Sequence, residues 1–251
     1  MINKTKLSKI TKKQLDILLY LYKFRYLNIN QLQQLFKHKN PRTIQEWIKD
    51  LKEKRYINCY KQNSVTKPAI CSLTKLARTR LKDNPKCEIE ELNRVYQEDG
   101  LSKVFIDKNI FIADIYLNLS FQTKGKEKLH FSTQANLRNF DYMPSLIDAF
   151  ISIKNDKSVK RYFLIIVDGR KPWFVQDKNI KEFVEYADNN EWSKVSSDPL
   201  PSFLIICPNE KRKKHFHKLI NDALTNGKFY LSTREAIRSS GFNGNTWEKI
   251  E

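Results

Sequence analysis

Asp148 and the run Asp168-Gly169-Arg170-Lys171 are the residues in this 251-residue sequence whose types and spacing suit bond-breaking chemistry. Asp148 opens one strand-like segment, residues 149–153, and Asp168 closes the next, residues 162–167. Acids at adjacent strand ends, with Lys171 close by, can hold Mg²⁺ and activate water against a phosphodiester. The same Asp-Gly pair at a strand end also makes an ordinary turn, in which case nothing is catalysed. No other set of residues competes. The sequence has no G-x-x-x-x-G-K-[ST], no G-x-G-x-x-G and no C-x-x-C, and a metal site is not expected elsewhere. His215 and His217 stand two apart, so on a helix they point in different directions.

A second set of residues suits recognition. Residues 1–87 hold 21 Lys and Arg against 5 Asp and Glu, a net of +16, out of +18 for the whole chain. Charge confined to one segment marks a contact surface, and a polyphosphate is the partner it fits, because neutralised phosphates release condensed counterions. Within that segment, Asn40-Pro41 is the clearest helix start: a capping Asn followed by Pro at the first helical position. A helix over residues 41–54 buries Ile44, Trp47, Ile48 and Leu51. Its other face carries Arg42, Gln45, Glu46, Lys49 and Lys52. Arg42 and Gln45 are types that pair bidentately with guanine and adenine edges, while Thr43 and the lysines suit phosphate oxygens.

Two further helices and a hairpin are needed to hold that helix. Thr11 is a plausible cap for a helix bearing Leu15, Leu18, Leu19 and Tyr22 at helical spacing. A break at residues 26–29 leads to Asn30, read as the cap of a short helix with Leu32, Leu35 and Phe36. After the third helix, residues 56–61 and 69–73 read as strands around a polar tip, residues 62–68. Lys61, Asn63 and Lys67 in this hairpin can reach DNA backbone or the minor groove. Thr74 then caps a closing helix over residues 75–82. Three helices, a wing-shaped hairpin and a closing helix define a winged helix-turn-helix, assigned to residues 1–87. Cys59 and Cys71 flank the hairpin and can lie side by side, expected as thiols in a reducing compartment.

Residues 88–251 read as a small α/β domain with a central mixed sheet, making the chain α/β (α+β overall). Residues 88–97 form an acidic connector helix, followed by a long helix over 101–121. Strand segments at 129–133, 149–153, 162–167, 202–207 and 228–231 alternate with helices at 179–189 and 210–224. The run from Phe163 to Val167 is continuously apolar, as a strand buried on both faces requires. Lys211-Arg212-Lys213-Lys214 opens the later helix and reads as a solvated face.

The spacing of Asp148, Asp168 and Lys171 loosely resembles that of PD-(D/E)XK nucleases, with Arg170 where a Lys is usual. Taken as a whole, the chain resembles the replication-relaxation family of plasmid and integrative-element proteins. The resemblance rests on TKKQLDILLYLYKFRYLNINQLQQLF, LKEKRYI, CSLT, PSLIDAFISI, RYFLIIVDGR and KNIKEFVEYADNNEW, and covers roughly residues 8–224. It implies a winged helix fused to a PD-(D/E)XK-like domain, with roles in plasmid replication and in DNA relaxation or transfer. The family carries an acid two positions before Asp168, where this chain has Ile166, so catalysis is not expected.

The expectation is therefore a sequence-specific double-stranded DNA-binding protein of a plasmid or other mobile element, acting at a replication or transfer (conjugation) origin. The alternatives are a Mg²⁺-dependent endonuclease using Asp148, Asp168 and Lys171, and a winged-helix transcription regulator. No cofactor is expected unless the nuclease reading holds, when Mg²⁺ is. Residues 88–251 are expected to engage a replication or relaxosome protein. No stretch approaches the ~18 apolar residues of a membrane span, and MINKTKLSKITKK lacks a signal-peptide core, so a cytoplasmic location is expected.

Overall fold

The computed structural model describes residues 8–61, 66–97, 102–123, 125, 127–137, 143–144, 146–189 and 191–250. It is a mixed α/β chain that divides into two compact units, Met1–Leu117 and Asn118–Glu251.

In the first unit, α1 (Lys12–Phe24) begins at a reciprocal cap. The Thr11 hydroxyl accepts from the Gln14 N–H at 3.2 Å, and the Gln14 side chain accepts from the Thr11 N–H at 2.9 Å. Ile17, Leu18 and Leu21 form its buried stripe. β1 (Tyr26–Asn28) follows, then α2 (Ile29–Phe36) and α3 (Pro41–Glu53). The cap of α2 is Asn28 rather than Asn30: the Asn28 side chain accepts from the Gln31 N–H at 2.9 Å and the Gln31 side chain accepts from the Asn28 N–H at 3.0 Å, while the Gln33 amide, three residues after Asn30, donates to the His38 carbonyl. β2 (Ile57–Tyr60) and β3 (Ile70–Leu73) pair antiparallel, and β1 adds to the far side of β3, giving the order β1-β3-β2. Register sets Cys59 opposite Cys71 with their Cα atoms 4.2 Å apart, and they are joined as a disulfide, not held as two thiols. Facing positions on neighbouring strands bring the two sulfurs within bonding reach.

α4 (Lys75–Leu81), capped by Thr74, and α5 (Ile89–Gln97) complete the packing. The division of contacts falls after Leu117 rather than after the expected Cys87, so α5 groups with the elements before it. Glu91, 2% exposed, ion-pairs with the buried Arg25 and accepts from Arg94 at 2.6 Å. The Glu88 N–H donates to the Tyr22 hydroxyl at 2.9 Å. Asp114, in α6 (Lys103–Gln122), accepts from the Gln31 amide at 2.6 Å. α5 is thus part of a core, not a connector.

The second unit is built on a six-stranded mixed sheet in the order β4-β5-β6-β7-β8-β9. β4 (Lys128–Thr133), β5 (Ala149–Lys154) and β6 (Val159–Ile166) form an antiparallel meander, with α7 (Gln134–Leu137) between the first two. α8 (Trp173–Asp188) then crosses to β7 (Ser202–Cys207), parallel to β6, and α9 (Glu210–Asn221) to β8 (Phe229–Thr233), parallel to β7. α10 (Arg234–Ser240) precedes β9 (Glu248–Lys249), which pairs antiparallel with β8. Two crossover helices over three parallel strands bury the middle of the sheet. All five residues from Phe163 to Val167 are buried. Phe203 and Phe229 stack at 4.6 Å under Phe183 and Phe216, in a core shared by α8 and α9. α8 starts earlier than the expected residue 179, at the first residue after Pro172.

Candidate nucleic-acid interface

α3 is oriented before it touches anything. Asn40 accepts from the Arg42 N–H at 2.9 Å, and Pro41 follows as the first helical residue. Ile44, Ile48 and Leu51 are buried, one turn apart on a single face. Trp47 is half-buried, its ring edge-on to Phe36 at 5.7 Å and to His38 at 5.6 Å, which pins the turn between α2 and α3. On the α1 side, Asp50 accepts from the Gln14 amide at 2.5 Å and pairs with Lys54 at 2.6 Å. The Lys54 hydrogen bond holds the Asp50 carboxyl below the usual range, outweighing burial. This acid is committed to packing α1 against α3.

The opposite face of α3 points to solvent. Arg42, Gln45, Glu46, Lys49 and Lys52 are exposed, and Thr43 is half-buried. Arg42 leans on Glu46 at 3.4 Å and Lys49 on Glu53 at 3.9 Å, all four side chains more than 60% exposed. Exposed pairs of this kind contribute only about 0.3–0.5 kcal/mol, so they release their cations to a stronger anion at little cost. In the hairpin, Lys61 and Lys67 are exposed, and Asn63 lies outside the described residues. The helix and the hairpin lysines therefore belong to one compact unit that carries 24 Lys and Arg against 12 Asp and Glu.

The strand-end acids are arranged differently. Asp148 is 2% exposed, and its carboxylate accepts the Ile166 N–H at 2.7 Å, while its own N–H donates to the Leu164 carbonyl at 2.8 Å. It latches the start of β5 to the end of β6. Asp168 follows β6 and accepts from the Arg170 N–H at 3.1 Å in a tight turn. Burial by itself raises the Asp168 carboxyl, but the Arg170 backbone and side-chain bonds, with the Arg170 and Lys171 charges, hold it below the usual carboxylate range. The Lys171 N–H closes the turn on the Asp168 carbonyl at 3.2 Å, and its side chain is exposed. Both acids thus stand at the same end of adjacent strands, each engaged by nearby backbone. Among the described residues no group of three or more His, Cys, Asp or Glu is placed to hold a metal ion. No described helix is long and apolar enough to cross a membrane.

The cluster from Lys211 to Lys214 is not a uniform solvated face. Arg212 is buried, with Nε donating to Gln176 at 3.0 Å and Nη2 to Asp177 at 3.2 Å, and its guanidinium stacks 3.9 Å from the Trp173 ring centroid. Trp173 and Phe174 were not singled out from the sequence, although a signal was there. Trp173-Phe174 begins about one turn before the periodic buried positions Gln176, Ile180, Phe183, Val184 and Ala187, and neither aromatic is buried with them.

No family model matches the chain, and no curated protein matches it. Solved structures similar to it include two of the restriction endonuclease FokI. The FokI structure is 14% identical, over 96% of this chain and 47% of that one, with a TM-score of 0.36. The structure of FokI bound to DNA is 16% identical, over 93% of this chain and 45% of that one, with a TM-score of 0.33. The chain spans about half the length of these structures.

Proposed function

We propose that the first unit is a winged helix that binds double-stranded DNA sequence-specifically, with α3 in the major groove and the β2–β3 hairpin as the wing. The observation that carries this reading is the division of α3 into two faces. One is locked by Ile44, Ile48 and Leu51 to the core, the other offers Arg42, Gln45, Lys49 and Lys52 with only weak internal partners. A helix of this width fits the major groove, where Arg and Gln discriminate base pairs and Lys neutralises phosphate. Glu46, on the same face, suits a cytosine amino group and opposes indiscriminate phosphate binding.

The resemblance to the replication-relaxation family supports a setting: a plasmid or other mobile element, with the chain working in the cytoplasm at a replication or transfer origin. On the same reading the second unit, built on its six-stranded mixed sheet, meets a replication or relaxosome protein. Footprinting of plasmid-borne DNA tests the core of the proposal. A discrete protected site that Arg42→Ala and Gln45→Ala lose is the expected result. Equal protection of every duplex by the wild type and both variants refutes it.

A further inference from the structure

The second unit carries a surface that the reading of α3 does not use. Trp173 and Phe174 open α8 as consecutive aromatics that stay 48% and 74% exposed. The buried face of α8, made by Gln176, Ile180, Phe183, Val184 and Ala187, includes neither. They stand at the carboxyl ends of the parallel strands β6 and β7, the end of an open α/β sheet where ligands bind. The two connections press together there: a Cβ on Gly169 meets Pro208 at 2.8 Å, which sets the Asp168–Lys171 turn against the start of α9.

Trp173 is held rather than loose. Arg212 backs its ring at 3.9 Å, Lys211 lies 5.3 Å from it and the His215 ring 5.5 Å. The backing is rigid, since Arg212 is 4% exposed and tied to Gln176 and Asp177. Exposed cations occupy the same connections: Arg170 and Lys171 in the turn before α8, Lys178 on α8, and Lys211 and Lys214 on α9. The neighbouring acids are engaged: Asp168 with Arg170, and Asp177 with Arg212 and His215. Among the described residues Lys171, Lys178 and Lys214 form no ion pair. Asn118–Glu251 carries 22 Lys and Arg against 16 Asp and Glu, so this unit too is basic.

Exposed aromatics beside unpaired cations select a partner by chemistry. Unpaired bases offer π-faces that a duplex hides within its stack, and the cations follow the phosphates joining them. We propose that this corner binds a single-stranded nucleic acid, with bases stacked on Trp173 and Phe174 and the backbone along Arg170, Lys171 and Lys211. The inference does not rest on duplex binding by α3, and the two fail separately.

Fluorescence anisotropy of the full chain with labelled oligo-dT and oligo-rU of about 20 nucleotides tests it, the two probes telling a DNA from an RNA strand. Phe174→Ala spares the fold, because that side chain is mostly exposed, and should weaken binding about fivefold; Trp173→Ala with Phe174→Ala should weaken it about tenfold or more. Lys171→Ala with Lys211→Ala should flatten the salt dependence. Arg42→Ala with Gln45→Ala should leave single-strand affinity within about twofold, there being no base stacking to lose on α3. Binding of neither probe, or binding by the aromatic variants equal to wild type with the fold intact by circular dichroism, overturns the proposal. Loss in the Arg42/Gln45 variant instead, or displacement of the strand by duplex that the aromatic variants bind as weakly, also overturns it.

Discussion

The outer face of α3 and the acids at the ends of β5 and β6 are both made of residues fit for work on nucleic acid, yet the fold treats them oppositely. On α3 the polar groups point outward and hold one another only through exposed pairs at 3.4 and 3.9 Å. At the strand ends Asp148 is turned inward onto the Ile166 N–H and Asp168 is wound into its own turn. A side chain that satisfies buried backbone spends at least one of its acceptor positions inside the fold. One that faces water keeps them for a partner. Residue type and spacing favoured the α3 face and left the acids as an alternative; burial and hydrogen bonding set the two apart in geometry.

That contrast is most open to attack at Asp148. Replacing it by Ala strips a buried N–H of its acceptor, and about 2–3 kcal/mol of stability should go with it, read as a lower thermal midpoint. Asp148→Asn should retain most of it, because the amide oxygen still accepts. An unchanged melt for the Ala variant returns Asp148 to the pool of residues free for chemistry. Supercoiled plasmid incubated with Mg²⁺ and either protein should stay intact.

On the α3 side, Arg42→Ala should leave stability alone and cost about 1–3 kcal/mol of affinity for a footprinted site, with relaxed preference at one base pair. A melting shift without any binding defect, the pattern expected of Asp148, erases the distinction between the regions. Asn40→Ala removes the cap of α3 and should lower stability by about 1 kcal/mol in urea, the outer face being left in place. A neutral result means Pro41 alone sets the helix start. Lys49→Ala should weaken all duplexes alike and reduce the salt slope by about 1; a sequence-dependent effect gives Lys49 a role in base reading instead.

The smallest effect concerns Asp168. Its folded carboxyl lies below the ordinary value of 3.8, so its contribution to stability is present above that pH and lost as pH falls through the folded value. Acid melting of wild type and Asp168→Asn should therefore differ near neutrality and converge only once the pH has fallen below 3.8 and through the lower folded value. Curves that stay parallel throughout remove the turn's electrostatic role.

Much of this was legible along the chain. Thr11 and Asn40 advertise their helices because a cap and its partner sit within three residues. The continuous apolar run of β6 marks a strand covered on both faces. The cap of α2 was not separable by spacing, because Asn28 has Gln31 and Asn30 has Gln33 three positions on, and only the fold shows that Gln31 returns the bond to Asn28. β1, at three residues, is too short to show a period, and exists because β3 offers it a free edge.

Other features left no local trace. Arg25 meets Glu91 across 66 positions, and nothing near either residue announces the pairing, so an acidic stretch reads as a linker. Moving residues 88–117 into the first unit also redistributes charge: it carries a net +12, and the second unit +6, where a boundary after Cys87 leaves the remainder near neutral. The basic second unit then has a surface of its own to explain, around Trp173.

The sequence by itself determined what short-range bonds and amphipathic periods encode: the capped ends of α1 and α3, the two faces of α3 and the concentration of positive charge around it. Which polar groups remained available only the tertiary structure decided. Asp148 became a latch when β6 came alongside it, Glu91 a core residue when Arg25 did, and Trp173 a backed, half-open surface when Arg212 reached across from α9. Each depends on desolvation and pairing between distant segments. A side chain's neighbours in sequence do not record that, because burial is a property of the assembled packing.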